Sequence, residues 1–221
     1  MGEVAGVGTP PDGGHVATCL ALLCLQEDGH LTPSRPAGQA VRAGGLVDLV
    51  LAGRLVEEAD AVDLLSGPDA GPVAEALVRE VDADPERPLA DLVERGRAGL
   101  AEAAGALVGR GLWVPRASLL PWRPGRYRPA DPSLSRTVLA PALAGVGTGG
   151  ATPTPGRAAT AVLATVAGLV DGRFAEADET LLAACGPAEW VTRTAAEVIT
   201  VSRRWQDALG RTTIADLGTP W

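Results

Sequence analysis

The 221-residue chain carries a formal charge of −8 and is 46% apolar but only 3% aromatic. This length fits one domain, or one domain with a short appendage. The acidic balance argues against a general nucleic-acid binder, and an apolar content dominated by Ala, Val and Leu predicts a helical, aliphatic core. The chain contains no lysine and is rich in Ala, Arg and Gly, a composition typical of bacterial proteins encoded by GC-rich genomes.

Residues 1–14 are rich in Gly and Pro, which predicts a disordered segment before the folded domain. The apolar run over 15–25 predicts a buried first helix. It is too short for a membrane span and lacks the basic segment and cleavage site of a secretory signal. Cys19, Cys24 and Cys185 are odd in number and lie in apolar settings, so they do not predict a disulfide framework. Together these features predict a cytoplasmic protein.

Helical periodicity organises most of the remaining chain. The Gly-rich segment 38–53 places Val41, Gly45 and Leu49 on one face, and its paired glycines predict close packing against a neighbour. Further helices are predicted over 71–81, 88–110, 131–144, 157–169, 174–184 and from 186 onward, the last with Trp205 on its buried face. A short strand is predicted at 54–56. The predicted fold class is mainly all-α: one helical domain over 15–209, a protruding β-hairpin near 112–128 and a C-terminal tail over 210–221.

A basic stretch over 111–130 interrupts this acidic chain with two Trp, one Tyr and four Arg but no acidic residue. The wider region 103–170 has seven Arg against a single acid, Asp131, and such segregation of charge indicates an anionic partner. Trp prefers the interface between lipid headgroups and acyl chains, and Arg is attracted to anionic lipid. The stretch therefore predicts a membrane-contacting hairpin with an apolar tip and a basic collar, made by Leu119, Leu120, Trp122, Arg123, Arg126 and Arg128.

Two other interpretations of this stretch stay open. A helix followed by Gly111 and a basic hairpin also fits the recognition helix and wing of a DNA-binding winged helix, although Glu94 and Glu102 interrupt the positive charge that phosphate contact favours. Alternatively, Leu119 and Trp122 pack inward, or the hairpin buries its apolar tip against another subunit of a homo-oligomer.

No set of residues in the sequence predicts catalysis. His15, Cys19 and Cys24 provide too few converging ligands for zinc, and nothing activates Cys185 with His30 as a nucleophile pair. The Gly-rich segments 11–14 and 145–150 neither follow a strand nor lead into the Lys-Ser/Thr of a phosphate loop. We therefore expect a protein that is not an enzyme and that holds no metal and no cofactor.

Several stretches, in this order, resemble the Golgi phosphoprotein 3 family, which has many bacterial members. The first is the apolar opening helix with its acidic turn, and the second is a Gly-rich helix that ends in a Gly-Arg-aliphatic step. The third is a long helix followed by the apolar, basic hairpin, and the fourth is an apolar helix that begins at Arg157. As they stand in the chain, these are CLALLCLQEDGHL, VRAGGLVDLVLAGRLV, LVGRGLW with SLLPWRPGRYRPAD, and the helix ending GLVDGRF.

The resemblance implies an all-helical domain whose hairpin touches a bilayer and whose partners are anionic phospholipid and a protein client. Eukaryotic members bind phosphatidylinositol 4-phosphate in a basic pocket made by one Trp and three Arg. Two of those Arg positions fall on Arg42 and Arg97, the predicted headgroup-binding residues. The third Arg position falls at Leu100 and the Trp position near Pro33, so the implied clamp is half present. The resemblance thus predicts a non-catalytic peripheral membrane protein that binds phosphatidylinositol 4-phosphate or a bacterial equivalent.

Overall fold

The computed structural model describes residues 15–32, 34–58, 61–116, 126–144, 146, 152–170 and 178–216, with the backbone alone at 58, 61, 144 and 210–216. Most of this part of the chain is helical, which confirms the predicted fold class. The helices are α1 (Val16–Cys24), α2 (Arg35–Leu51), α3 (Pro72–Ala83), α4 (Leu89–Arg95), α5 (Leu100–Gly109), α6 (Arg136–Ala144), α7 (Pro155–Val166), α8 (Glu179–Ala184) and α9 (Glu189–Asp216). Short 3-10 turns over Pro132–Leu134 and Gly186–Ala188 precede α6 and α9.

Two small antiparallel hairpins accompany these helices. Strands β1 (Leu55–Glu58) and β2 (Ala61–Leu64) extend the short strand predicted at 54–56. Strands β3 (Trp113–Arg116) and β4 (Arg126–Pro129) form the hairpin predicted near 112–128. Trp113 pairs with Pro129 at its base, and Arg116 pairs with Arg126 at the far end of the described ladder.

Helix α2 is the centre of the core and packs against α1, α3, α7 and α9. The paired glycines in its middle allow this close approach, as predicted. A Cβ at Gly44 would lie 2.8 Å from the backbone of Ala17, and one at Gly45 would lie 2.8 Å from side-chain atoms of Val73 and Leu77. The penalty that glycine imposes on a helix is therefore offset by contacts that a larger residue would prevent.

A buried carboxylate on α2 caps the start of α1. Asp48 accepts hydrogen bonds from the backbone N–H groups of Val16, at 2.7 Å, and Ala17, at 3.1 Å. These are first-turn donors that have no partner within their own helix. Burial raises the pKa of Asp48 from its ordinary 3.8 to about 7, and the two backbone hydrogen bonds act in the opposite direction. The carboxyl group therefore holds the start of α1 against α2 while titrating near neutral pH.

The single helix predicted over 88–110 is wrong, because the chain breaks it between α4 and α5. Glu80 of α3 accepts hydrogen bonds from the backbone N–H groups of Arg97, at 2.8 Å, and Ala98, at 2.6 Å. Glu102 accepts one from the N–H of Gly99 at 2.8 Å. These side chains satisfy donors that a continuous helix would direct to its own carbonyls. We call residues 96–99 the α4–α5 connector.

Helix α9 runs antiparallel to α2. The side chain of Gln39 donates to the hydroxyl of Ser202 at 3.0 Å, near the start of α2. The 3-10 turn over Gly186–Ala188 also contacts α2, and it lies about 21 Å back along α9 from Ser202. Only about 6 Å of α2 precedes Gln39, which is too short to reach a contact about 21 Å away. The 3-10 turn therefore contacts the C-terminal part of α2, and the two helices run in opposite directions.

The prediction that Trp205 is buried is wrong, because Trp205 lies on a face of α9 that is already exposed one turn earlier, where Val201 is 54% exposed. The Trp205 side chain is 67% exposed, whereas Ile199 is fully buried. At this level α7 has ended, and Arg203 donates to the carbonyl of Thr165 at 3.2 Å in its last turn. The α9 backbone stays helical through Asp216, within the segment predicted as a tail. Within the described ranges, no helix combines the length and the apolar character needed to cross a bilayer.

Candidate functional site

The register of the β3–β4 hairpin places three arginines on one face. Residues that pair directly across an antiparallel ladder have side chains on the same face, and alternate residues along a strand share a face. Arg116 pairs with Arg126, and Val114 pairs with Arg128. Arg116, Arg126 and Arg128 therefore share one face, which we call the basic face, while Trp113 and Tyr127 lie on the other.

The face with Trp113 and Tyr127 holds the hairpin to the core. Trp113 is 1% exposed and belongs to the main cluster of buried residues, against which Tyr127 packs. The two rings have centroids 5.2 Å apart and planes tilted by 32°, a geometry in the favourable range for aromatic pairs. Because this face is buried, the basic face is directed away from the core.

The turn between α1 and α2 supports the outer edge of β4. The backbone N–H of Tyr127 donates to the carbonyl of Gly29 at 2.8 Å, and Arg126 donates Nε–H to Nε2 of His30 at 2.8 Å. Gly29 has φ +87°, and a Cβ there would lie 2.6 Å from the carbonyl oxygen of Tyr127. The base of the hairpin is thus fixed to the end of the molecule where α2 begins.

The three arginines of the basic face are exposed, and they form no ion pair among the residues that the structure describes. Other arginines do: Arg35 pairs with Glu94 at 2.8 Å, and Arg193 pairs with Glu179 at 2.8 Å. Three cations held on a fixed scaffold without internal neutralisation can attract an anionic surface.

The structure covers only part of the predicted membrane-contacting hairpin. Arg126 and Arg128 lie on the basic face, as described above. Leu119, Leu120, Trp122 and Arg123 lie outside the described residues, so their contact with a membrane stays a prediction. Arg116 was not predicted as a site residue, because only the strand register shows that it shares a face with Arg126.

Arg42, one of the two predicted headgroup-binding residues, is engaged with the protein backbone. Its Nε–H donates to the carbonyl of Ala98 at 2.9 Å, and its Nη1 donates to the carbonyl of Val93. A Cβ at Gly96 would lie 2.7 Å from Cδ of Arg42, so the glycine makes room for the arginine stem. Burial lowers the pKa of Arg42. This arginine therefore ties α2 to the end of α4 and to the α4–α5 connector.

Arg97, the second predicted headgroup-binding residue, lies in that connector. Its side chain is exposed, and its backbone N–H is the one that Glu80 accepts. The fold thus brings the guanidinium of Arg42 to Ala98, the residue next to Arg97. Of the two positions where the implied clamp is incomplete, Leu100 begins α5 and is half-buried, and Pro33 lies outside the described residues.

The cysteines and histidines considered for other chemistry occupy apolar or structural positions. Burial raises the pKa of the Cys19 and Cys185 thiols to about 11 and that of Cys24 to about 12. These thiols are therefore protonated at neutral pH, which disfavours nucleophilic attack and metal binding. Burial lowers the pKa of His15, and His30 accepts the hydrogen bond from Arg126.

Comparison with known proteins gave one family. The model of the family described as Golgi phosphoprotein 3 (GPP34) matches residues 17–212, which is most of the chain. A search of curated proteins found no match. The match begins one residue inside α1 and extends into the last turns of α9, so it includes α2, the connector and both described strands of the basic hairpin.

Proposed function

The chain belongs to the Golgi phosphoprotein 3 family, and on that premise we propose that it is a peripheral membrane protein that binds anionic phospholipid headgroups without catalysis. The observation that supports this proposal is the basic face, where Arg116, Arg126 and Arg128 project from one side of an anchored hairpin. The ligand is phosphatidylinositol 4-phosphate or a bacterial anionic equivalent, and binding takes place at a cytoplasmic membrane face.

The physical basis is attraction between three cations and a negatively charged surface. Each Arg near an anionic membrane contributes about 1 kcal/mol, so the basic face contributes about 3 kcal/mol, or roughly a hundredfold in affinity. Guanidinium groups also donate two parallel hydrogen bonds to one phosphate. Because Trp113 and Gly29 already fix the hairpin base, binding does not require the backbone at this position to become ordered.

Other residues have secondary roles in this proposal. Leu119, Leu120 and Trp122 insert shallowly while Arg123 engages the headgroups. Arg97, which is exposed, is available for a headgroup phosphate. Arg42 can contribute only through the part of its guanidinium that does not face Val93 and Ala98.

The proposal is tested by flotation with vesicles of phosphatidylcholine and 30% phosphatidylglycerol at moderate salt. We expect the wild type to float and an Arg126→Gln/Arg128→Gln variant to bind roughly tenfold or more weakly, because it lacks two charges of the basic face. The matched control is Arg79→Gln/Arg157→Gln, which removes two exposed arginines of α3 and α7. This control has the same net charge as the Arg126→Gln/Arg128→Gln variant, and we expect it to bind vesicles as strongly as the wild type does.

Each rival interpretation gives a different result in the same experiments. A wild type that stays with the unbound fraction, or equal weakening by both double variants, contradicts the proposal. A winged-helix protein instead shifts duplex DNA with a steep salt dependence and ignores vesicles. A protein-interaction module ignores both, and its hairpin is protected in a homo-oligomer or by a client. Replacing phosphatidylglycerol with phosphatidylinositol 4-phosphate at equal surface charge then shows whether the headgroup itself is recognised.

A further inference from the structure

The C-terminal part of α9 exposes an apolar stripe that the basic face does not include. Val201 is 54% exposed, Trp205 67% and Leu209 64%. Residues four apart lie on one face of a helix, so the three side chains form a continuous row, which we call the α9 stripe. Large apolar side chains grouped in this way on a protein surface indicate a contact with another molecule or with a membrane.

The α9 stripe lies at the same end of the molecule as the basic face. Ser202 lies beside Gln39, and α9 runs toward the start of α2. Trp205 is about 4.5 Å further along and is level with the first turn of α2, and Leu209 is about 10 Å further along and passes beyond it. The turn that precedes α2 carries Gly29 and His30, which hold β4. The stripe and the turn that holds the hairpin therefore both lie near the start of α2.

We infer that the α9 stripe is a second contact with the anionic lipid surface that the basic face binds, an inference that rests on the proposed function. Trp is the side chain best suited to the headgroup region. Arg204, exposed and next to Trp205 in the sequence, is a basic neighbour of the kind that interfacial helices carry. The hairpin supplies the charge and the α9 stripe supplies a laterally separated apolar anchor, so the two contacts fix the orientation of the domain on the membrane.

Charge and area favour a lipid surface over a second copy of the chain. A symmetric contact through this end would bring two basic faces toward each other, and like charges oppose that association. Three side chains also offer only a few hundred square ångströms, against roughly 800 Å² per partner in a standard stable interface. A bilayer requires no such matched area, because each apolar side chain transfers independently.

A site-specific label tests the stripe separately from the basic face. The native thiols are largely buried and have raised pKa values, so an added surface cysteine reacts preferentially, and unsubstituted protein labelled in parallel gives the background. An environment-sensitive dye on Leu209→Cys should shift to the blue with phosphatidylglycerol vesicles and be quenched by brominated lipid. The same dye on Ser66→Cys should not respond, because Ser66 is exposed and follows β2, beyond the opposite end of α2.

Binding by unlabelled variants completes the test. We expect Trp205→Ser to weaken vesicle binding roughly three- to tenfold, while Gln206→Ser, an exposed neighbour on another side of the helix, binds as the wild type. If the wild type floats and Arg126→Gln/Arg128→Gln does not, yet Trp205→Ser floats normally and the label stays silent, the inference fails and the proposed function stands. Wild type that ignores anionic vesicles overturns both. Self-association without lipid that Trp205→Ser abolishes overturns the inference in favour of a second copy.

Discussion

Arg42 and the arginines of the basic face lie in opposite environments. Arg42 is partly buried and donates to the carbonyls of Val93 and Ala98. Arg116 and Arg128 are exposed on a strand face with no acidic partner in the described part of the chain. The same side chain therefore stabilises the fold in one place and is available to a ligand in the other.

The difference shows that the groups around an arginine, more than its position in a motif, decide its function. Resemblance to the family marks Arg42 as a headgroup ligand, yet in this chain its donors satisfy backbone carbonyls where α4 ends. A buried carbonyl left without a donor costs about 1 to 3 kcal/mol, so the fold depends on Arg42. The basic face carries a smaller structural demand, the exposed hydrogen bond from Arg126 to His30, so its charge can change with a smaller effect on folding.

The largest effect is expected at Asp48, the buried carboxylate of α2. Its folded pKa is about 7, against an ordinary 3.8, so the folded protein keeps a proton that the unfolded chain releases between these values. The contribution of Asp48 to the free energy of unfolding should therefore be fully present below about pH 4 and fall by up to about 1.4 kcal/mol per pH unit until about pH 7.

Urea denaturation of Asp48→Asn at several pH values measures this contribution. Asn cannot ionise, so the variant should gain stability relative to the wild type as the pH rises from 4 to 7. A stability difference that does not change with pH would show that the folded protein does not raise the pKa of Asp48.

Arg42→Ala should lower the free energy of unfolding by about 2 to 4 kcal/mol, because it leaves the carbonyls of Val93 and Ala98 without their charged donor. Arg95→Ala is the control, since Arg95 is exposed and, among the described residues, pairs only with Asp91 on the same helix. It should change stability by about 0.5 kcal/mol or less. Chemical denaturation at neutral pH measures both. If both variants lose an equally small amount of stability, a structural role for Arg42 is contradicted, and its prediction as a headgroup-binding residue is favoured.

Gly96→Ala tests the space that Arg42 occupies. The new Cβ would lie 2.5 Å from the carbonyl oxygen of Leu92 and 2.7 Å from Cδ of Arg42, so we expect a loss of about 1 to 3 kcal/mol. Gly105→Ala is the matched control, because a Cβ there meets nothing within 4 Å. In the exposed face of α5 it should stabilise by about 0.5 to 1 kcal/mol. Thermal unfolding of both variants measures these stability changes. A Gly96→Ala variant more stable than the wild type would contradict the close packing of Gly96 against Arg42.

Much of the fold follows from the sequence, because periodic apolar residues determine which face of a helix is buried. The α2 glycines and the basic hairpin were both predicted on such local grounds. The break between α4 and α5 was not, because Leu92, Val93, Gly96 and Leu100 continue one helical stripe. Only the side chains of Glu80 and Arg42, distant in sequence, show why the helix ends.

The candidate site was less predictable, because it depends on strand register and on which helix faces the neighbouring helices cover. Arg116 joins the basic face only through its pairing with Arg126. Trp205 lies on the apolar side of α9 by periodicity, and nothing local indicates that neighbouring helices leave the row through Val201 and Trp205 exposed. Both features require tertiary information that the periodicity of one segment does not contain.

One paired measurement tests the contrast between Arg42 and the basic face most directly. The free energy of unfolding and the partition onto vesicles with 30% phosphatidylglycerol are determined for Arg42→Ala and Arg126→Gln/Arg128→Gln, with binding measured at a temperature where both are folded. We expect Arg126→Gln/Arg128→Gln to lose binding roughly tenfold or more while its stability falls by about 1 kcal/mol or less, the loss of the exposed hydrogen bond to His30. Arg42→Ala should lose stability and keep most of its binding. The opposite assignment, with stability lost in the hairpin variant and binding lost in Arg42→Ala, would contradict the account.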